Sequence, residues 1–329
     1  MLKINALIVY FLFATFHLAA QKTGELKFTN DGKFKIVQFT DMHYVIGSEE
    51  CKKVQNMINQ TLDEEKPQLV VFTGDIITSS PQTEGWKEVL EPVVKRGLPW
   101  AAVLGNHDDE YDLKRNEIIR FLTKQPYSLV KENKQKIKGA TNHALEVKGQ
   151  DKKTNALIYC LDSHAYSQRE NIKGYDWFAF DQVKWYRETS AKYTKKNKNE
   201  PFPALAFFHI PLLEYAQLSD TSKCIKIGAS MEAECPGSVN TGMFAAFLES
   251  GDVMGTFVGH DHDNNYIGSL YGVSMAYGQF SGGNTVYNNN GMGARIIELT
   301  EGKRQFDSWI RMSDNSVIFN VQYPKSFIK

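Results

Sequence analysis

The stretch VGHDHDN, residues 258–264, places two histidines one residue apart behind a glycine. On an extended strand, side chains two residues apart point to the same face, so His260 and His262 could share one metal ion or each reach a different one. Imidazole and carboxylate ligands without thiolate suit Mn, Fe or Zn. Because an H-x-H pair alone also occurs by chance, a metal site requires partners elsewhere in the chain.

Four more polar clusters follow runs of apolar, strand-like sequence. They read DMH, GD, GNHD and HIP, at residues 41–43, 74–75, 105–108 and 209–211. Five of the eight histidines belong to these clusters and to the H-x-H pair, which is more than chance clustering predicts. Ligands bind at the carboxyl ends of strands in open α/β sheets. We therefore expect the five clusters to meet at one site.

The elements that carry these clusters alternate in the first half of the chain. Apolar runs predict strands at 33–40, 68–74 and 99–104. Between the first two, residues 48–65 place apolar side chains on one helical stripe, and a second helical segment precedes the third strand. The alternation of strand and helix predicts a parallel α/β core.

The second half of the chain predicts mostly strands. Helices are expected only near 181–194 and 243–248, and long loops separate the other elements. Two packed sheets with outer helices would hold all of them. The strand candidates are residues 144–147, 156–162, 204–210, 253–260, 272–278 and 294–299.

The composition is that of a soluble globular protein. Of the 329 residues, 42% are hydrophobic and 23% are charged. Lys plus Arg equals Asp plus Glu at 38 each, so the chain lacks the basic excess of a nucleic-acid-binding protein. No repeat or low-complexity linker divides the sequence, and we expect a single domain at residues 21–329. The sequence does not indicate the oligomeric state.

The first twenty residues have the layout of a secretory signal peptide. A basic residue at position 3 precedes an apolar run at 4–16, and small residues end the segment at Ala20. The run is shorter than the roughly 20 residues that span a bilayer, and no later stretch is long and apolar enough. We therefore expect cleavage near Ala20, export to the periplasm or the extracellular space, and no membrane span in the mature chain.

An exported chain can keep disulfides, and this one has four cysteines. Cys51 falls on a predicted helix and Cys160 in a predicted strand, which favours a packing role for both. Cys224 and Cys235 flank a loop rich in Gly, Ser and Glu and could close it. The sequence leaves open whether they form that bridge.

The order of the five clusters resembles that of the calcineurin-like metallophosphoesterase superfamily. Across residues 41–262 they read D-x-H, G-D, G-N-H-D, H and G-H-x-H. Three further stretches are similar to a purple-acid-phosphatase-like branch that includes the Dcr2-type phosphatases. They are GNHDDE, then GYDWF with the following DQ and W at 174–185, and SVNTGMF at 238–244. The resemblance implies the metallo-dependent phosphatase fold, a four-layer α/β/β/α sandwich of two mixed β-sheets.

The resemblance also implies two divalent or trivalent metal ions, with Fe, Mn or Zn left open. True purple acid phosphatases have a tyrosine three residues after the bridging aspartate, where this chain has Thr78, so no coloured ferric tyrosinate is expected. The implied ligands of one ion are Asp41, His43 and His262. The implied ligands of the other are Asn106, His209 and His260, and Asp75 is the implied bridging carboxylate.

The resemblance assigns His107 to protonation of the leaving oxygen or stabilisation of the transition state. Asp108 could orient that imidazole by accepting a hydrogen bond, or could be a solvated turn residue. His164 and Asn240 are candidate substrate contacts, but each also suits a surface loop or turn. Tyr175 is more often a core residue than a substrate platform.

These features predict a secreted metal-dependent phosphoesterase that acts on a phosphorylated small molecule or another phosphoester. A water bridging two metal ions would lose a proton near neutral pH and attack phosphorus. The GNHDDE resemblance favours monoesters. One alternative is a nucleotide or cyclic-nucleotide phosphodiesterase with the same site. An alternative of another class is a non-catalytic protein that binds metal or phosphate.

Overall fold

The computed structural model describes residues 24–133, 136–222, 224–284 and 290–328. The predicted signal peptide, residues 1–20, lies outside these ranges. Within them, two mixed β-sheets pack face to face and helices cover both outer faces. This is the four-layer α/β/β/α sandwich that the resemblance implied, so the fold prediction is confirmed.

The elements alternate through most of the chain. The helices are α1 (Glu50–Glu65), α2 (Gln82–Lys95), α3 (Arg115–Leu122), α4 (Phe180–Lys196) and α5 (Met243–Ser250), with a 3₁₀ helix at Leu213–Ser219. The strands are β1 (Lys33–Phe39), β2 (Leu69–Thr73), β3 (Trp100–Val103), β4 (Asn142–Lys148), β5 (Thr154–Leu161), β6 (Ala204–Phe207), β7 (Lys226–Ile227), β8 (Val253–Val258), β9 (Ile267–Leu270), β10 (Val273–Tyr277), β11 (Gly293–Thr300), β12 (Phe306–Met312) and β13 (Val317–Tyr323).

Each sheet has a parallel centre. In the described part of the chain the first sheet has the order β13-β12-β11-β1-β2-β3, and the second has β4-β5-β6-β8-β10-β9-β7. Strands β1, β2 and β3 are parallel, as are β5, β6 and β8. Phe39 is in register with Phe72, and Phe72 with Ala102, so the three strands of the first sheet end at the same level. The loops that follow them therefore start side by side.

Three apolar cores hold the layers together, and β2 shows how one strand serves two of them. Val70 and Phe72 pack towards the helices of the first sheet, while Leu69 and Val71 pack between the sheets. This double burial explains the continuous apolar run in the sequence. Helices α4 and α5 complete the third core against the outer face of the second sheet.

Helix α1 confirms the helix predicted at 48–65. Its buried side chains include Val54, Met57, Ile58 and Leu62, which recur every three or four residues on one face. It ends at Lys66, which adopts a left-handed conformation with φ 47°. There the Lys66 backbone N–H donates to the Leu62 carbonyl at 3.1 Å and satisfies one of the terminal acceptors.

Two details of the predicted strands are wrong. Strands β6 and β8 end at Phe207 and Val258, so His209 and His260 lie in loops rather than on extended strands. His260 has φ 82°, and the alternation of strand faces therefore does not apply to the H-x-H pair. The sequence prediction also lacks β7 and β9 of the second sheet and, after residue 299, β12 and β13, which extend the first sheet.

The cysteines are present as thiols, so the bridge left open for Cys224 and Cys235 is not formed. Cys224 is buried beside the 3₁₀ helix, where its backbone N–H donates to the Asp220 carbonyl. Cys235 is exposed, and its backbone N–H donates to Asp261. Among the residues that the structure describes, we find no helix with the length and apolar character needed to cross a membrane.

One buried histidine belongs to the fold rather than to the predicted metal site. His143 on β4 is 5% exposed, and its Nδ1 lies 3.0 Å from the hydroxyl of Thr141. That hydroxyl donates to the Lys131 carbonyl, so it accepts from Nδ1, which therefore carries a proton. In the described residues Nε2 has no hydrogen-bond partner. Burial, with a smaller effect from Lys131, lowers the pKa of His143 to about 3.

This low pKa predicts a loss of stability in acid. Between about pH 6.5 and pH 3 the unfolded chain binds a proton at His143 that the folded chain excludes, so the free energy of unfolding falls as pH falls, by at most about 1.4 kcal/mol per pH unit from this group. We expect His143→Gln to flatten that dependence. Urea unfolding at pH 7 and pH 5, with chelator present throughout, measures it, and identical slopes for both proteins would refute the assignment.

Candidate metal centre

All seven predicted ligand residues meet at the carboxyl ends of the central strands. They come from loops of both sheets, and each of the seven residues is at most 9% exposed. The chain contributes them after β1, β2, β3, β6 and β8, in this order: Asp41 and His43; Asp75; Asn106; His209; His260 and His262.

Asp41, His43 and His262 form one cluster. Their candidate ligand atoms all lie within 4.8 Å of one another. The Nε2 atoms of the two imidazoles are 3.1 Å apart, and His262 Nε2 is 3.6 Å from Asp41 Oδ1. One carboxylate oxygen and two imidazole nitrogens therefore face a common point.

Asp75, His209 and His260 form a second cluster within the same 4.8 Å limit. His209 Nε2 is 3.2 Å from Asp75 Oδ2 and 3.2 Å from Asn106 Oδ1. His260 Nε2 is buried and has no hydrogen-bond partner among the described residues. This cluster has the composition predicted for the second ion, with Asn106 beside it.

Asp75 lies between the two clusters. Its Oδ2 is 3.2 Å from His209 Nε2 in one cluster and 3.9 Å from His43 Nε2 in the other. Its Oδ1 accepts a hydrogen bond from the backbone N–H of His107 at 2.8 Å. One oxygen is therefore fixed by the protein and the other is directed to both sets of ligands.

The charges of the site fit metal ions. Burial raises the pKa of Asp41 to about 7, against the opposing effect of His209. Burial would also raise the pKa of Asp75, but His209 and His43 hold it well below its usual value. The same ion pair raises the pKa of His209 to about 9 in spite of burial. Protons thus occupy positions where cations would compensate the carboxylates, and metal binding would displace them.

Neighbouring groups set the orientation of the ligands. His209 Nδ1 lies 2.7 Å from the Thr73 carbonyl, which can only accept, so Nδ1 donates and Nε2 is directed into the site. Asp41 accepts hydrogen bonds from the Thr40 hydroxyl at 2.7 Å and from the His260 backbone N–H at 3.0 Å. The ring and the carboxylate are therefore positioned before any ion binds.

The backbone of the ligand loops is strained. Asp41, His43, Asp75 and His260 have φ values of 52°, 43°, 53° and 82°, in the left-handed region that side chains other than glycine rarely adopt. Such residues concentrate at functional sites. A Cβ atom at Gly105 would collide with the Asp75 carboxylate, so this position of the GNHD cluster requires glycine.

Asp108 does not have the role predicted for it. Its side chain is fully buried and accepts hydrogen bonds from the backbone N–H groups of Gly105, Asp75 and Ile76 at 2.7, 2.9 and 3.0 Å. It therefore does not orient the His107 imidazole, and it is not a solvated turn residue either. Instead it ties the loop after β2 to the loop after β3.

Glu110 is the carboxylate that contacts the His107 ring. Its Oε2 lies 2.7 Å from His107 Nδ1. Burial opposes the effect, but the Asp75 carboxylate and then Glu110 raise the pKa of His107 above its usual value. The sequence motifs did not single out Glu110. The spacing of three residues after His107 is the only signal that could have identified it.

Two tyrosines that the sequence did not predict for the site line it. The Asn106 side-chain amide donates to the Tyr166 hydroxyl at 3.2 Å. The Tyr166 ring stacks on Tyr175 at 5.5 Å, and Tyr175 packs edge-on against His260 at 4.3 Å. Tyr175 is thus not simply a core residue, and no spacing in the sequence indicates either contact.

The side chains of the two candidate substrate contacts form hydrogen bonds with residues outside the ligand clusters. His164 is 7% exposed, and its Nε2 is 2.7 Å from Gln182 Oε1, so this nitrogen is directed away from solvent. Asn240 is exposed, and its amide donates to Glu214 at 2.7 Å. Asn240 lines a small cleft that also includes Ile210, the residue after His209.

Comparisons with known proteins agree with this geometry. The family described as calcineurin-like phosphoesterase matches residues 34–264. A relative from Arabidopsis thaliana, named probable inactive purple acid phosphatase 14, is 30% identical over 92% of this chain and 84% of its own length. Phosphatase DCR2 of Saccharomyces cerevisiae is 32% identical over 90% of this chain and 57% of its own. The crystal structure of a dimetal phosphatase from Danio rerio shares the fold, with a TM-score of 0.58 and 13% identity over 88% of this chain and 98% of that one.

The role of Asp108 generates a prediction. Asp108→Asn replaces one acceptor oxygen by an amide donor and leaves buried N–H groups of two ligand loops without a partner. We expect it to lower the free energy of unfolding by about 1–3 kcal/mol and to weaken Mn²⁺ binding. Urea unfolding and Mn²⁺ titration measure both effects.

Asp109→Asn is the matched control, because Asp109 makes only a long, partly exposed contact with Arg115 at 3.4 Å. We expect its effect on stability to be smaller than about 1 kcal/mol. Equal stability and metal affinity in wild type and Asp108→Asn would show that Asp108 does not hold the loops.

Proposed function

Because the chain belongs to the calcineurin-like phosphoesterase family, we propose that it hydrolyses phosphomonoesters at a centre of two metal ions. One observation carries the proposal: two buried three-ligand clusters adjoin at the Asp75 carboxylate, which belongs to one and lies 3.9 Å from His43 of the other, and the His107 imidazole lies beside His43. Neither a packing role nor a structural site for a single ion explains this arrangement.

In this proposal Asp41, His43 and His262 would hold one ion, Asn106, His209 and His260 would hold the other, and Asp75 would serve both. Oxygen and imidazole ligands of this kind suit Mn, Fe or Zn. When bound, the ions supply positive charge to the phosphoryl oxygens and acidify a nucleophilic water. Asp41 and Asp75 contribute two negative charges, and two divalent ions would contribute at least four positive charges. The loaded site would therefore keep a net positive charge and attract an anionic phosphate.

His107 supplies a proton to the leaving oxygen. Glu110 holds Nδ1 at 2.7 Å, which leaves Nε2 as the nitrogen available to the substrate. The His107 ring centre is 5.6 Å from that of His43, so Nε2 can lie beside a phosphate at the metal centre. The Glu110 carboxylate also stabilises the protonated ring before transfer.

The name of the Arabidopsis relative includes the words probable inactive, which favours the non-catalytic alternative. This chain, however, retains the side chains of both clusters and the His107–Glu110 pair. A protein that only binds metal or phosphate has no need of a hydrogen-bonded proton donor beside the site. We therefore propose catalysis, with the binding protein as the second candidate.

Export belongs to the proposal as well. Residues 1–20 have the layout of a cleaved signal peptide, and residues 21–329 would then form the mature single domain. Both statements are supported by the pattern of the sequence alone.

Hydrolysis assays test the function directly. We expect the purified protein with Mn²⁺ to hydrolyse p-nitrophenyl phosphate at least about tenfold faster than bis-p-nitrophenyl phosphate, and chelator to abolish both reactions. Asp75→Asn should lose both bound Mn²⁺ and activity. A faster reaction with the diester would instead support the phosphodiesterase. Bound Mn²⁺ without hydrolysis of either compound would support the binding protein.

The proton donor generates a second prediction. We expect His107→Ala to keep Mn²⁺ and lose roughly a hundredfold or more in kcat. Glu110→Gln should lose less, and its loss should be larger for phenyl phosphate than for p-nitrophenyl phosphate, because the poorer leaving group needs the proton more. Glu84→Gln, an exposed helical change, is the control. Equal losses on both substrates would exclude Glu110 from proton transfer.

A further inference from the structure

The segment at residues 163–178 forms a hood beside the metal centre. Tyr166 and Tyr175 face each other in an antiparallel bridge. The Asp176 backbone N–H donates to the Ala165 carbonyl at 2.8 Å, and the Ser167 N–H donates to the Gly174 carbonyl at 2.9 Å. These hydrogen bonds fix the two tyrosine rings on a rigid support.

The two rings contact both halves of the proposed machinery. The Tyr166 hydroxyl accepts from the Asn106 amide at 3.2 Å, which directs Asn106 Oδ1 towards His209, 3.2 Å away. The Tyr166 ring also lies 6.2 Å from the His107 ring at 75°. Tyr175 packs edge-on against His260. The tyrosine pair therefore stands between the second ligand cluster and the proton donor.

Tyr166 remains open to solvent although it contacts buried residues. It is 39% exposed, while Asn106 behind it is 1% exposed. Because the Tyr166 ring lies 6.2 Å from the His107 ring, a phosphoester whose leaving oxygen reaches His107 can place the rest of its leaving group against this exposed ring. A flat aromatic group gains from stacking or edge contact there. Glu110, with 41% of its side chain exposed on the same rim, disfavours a leaving group that carries further negative charge.

We propose that Tyr166 and Tyr175 form a specificity wall, which selects phosphomonoesters with an uncharged aromatic leaving group. In addition, Tyr166 is a positioning residue, because its hydroxyl orients the side chain of Asn106. The inference rests on the proposed function, since it assigns a substrate class to the same site. The two parts use different portions of Tyr166, the ring and the hydroxyl, and can be tested separately.

The ring is tested with a pair of substrates whose leaving groups have similar acidity but different ring area, 1-naphthyl phosphate and phenyl phosphate. We expect wild type to favour the naphthyl ester in kcat/KM by roughly three- to tenfold. Tyr166→Leu should bring that ratio close to one, whereas Tyr166→Phe should keep it. Because the measurement is a ratio within one protein, altered metal content cancels.

The hydroxyl is tested without turnover. We expect Tyr166→Phe to bind one of two Mn²⁺ ions about tenfold more weakly in a calorimetric titration, while the other ion binds as in wild type. Tyr271→Leu, a change at a 72% exposed tyrosine in the turn between β9 and β10, should leave both the titration and the substrate ratio unchanged.

An unchanged naphthyl-to-phenyl ratio in Tyr166→Leu would overturn the wall, and wild-type Mn²⁺ binding in Tyr166→Phe would overturn the positioning role. Neither result bears on the proposed function, which instead fails if wild type with two bound ions hydrolyses no phosphomonoester.

Discussion

The Asp75 carboxylate imposes the constraint on which the rest of the site depends. It is 1% exposed, and an uncompensated buried carboxylate costs several kcal/mol. The protein compensates it with the His107 backbone N–H on one oxygen and with His209 and His43 near the other. Those three residues come from different loops. The carboxylate can be accommodated only if the strands before these loops end at the same edge.

The parallel centres of the two sheets meet that condition, and the loops are then cross-linked through their backbones. The Asp41 N–H donates to the Gly74 carbonyl, and the His43 N–H donates to the Asp75 carbonyl, both at 3.0 Å. Asp108 adds a second buried carboxylate that accepts from the loops after β2 and β3. These bonds offset the left-handed conformations of the ligand residues. The strain is therefore distributed over several loops.

The sequence predicted the parts of this arrangement that follow from strand order. Clusters such as GD at 74–75 and GNHD at 105–108 come directly after apolar runs, and the ends of parallel strands adjoin. It failed where side-chain direction depends on local backbone. His260 adopts φ 82° and leaves the strand, and Asp108 turns inward to backbone donors. Strands β12 and β13 were missed although Phe306, Ser308 and Ile310 alternate inward on β12. The residues between them on β12 are partly polar, and no metal-site motif follows either strand.

Residues that shape the approach to the site leave a weaker trace in sequence than residues that hold it. The hood at 163–178 is bound to itself and to residues 237–241, where Ser238 donates to the Tyr175 carbonyl and Thr241 donates to the Phe178 carbonyl. It is also bound to the loop after β6, because the backbone N–H groups of His209 and Ile210 donate to the Ser163 hydroxyl at 3.2 and 2.9 Å. At Ser163 the hood contacts the ligand loop through backbone groups of that loop. The Tyr166 hydroxyl, however, connects it to Asn106. A change of the wall that removes this hydroxyl also removes a contact of Asn106, so Tyr166 couples substrate selection to metal binding.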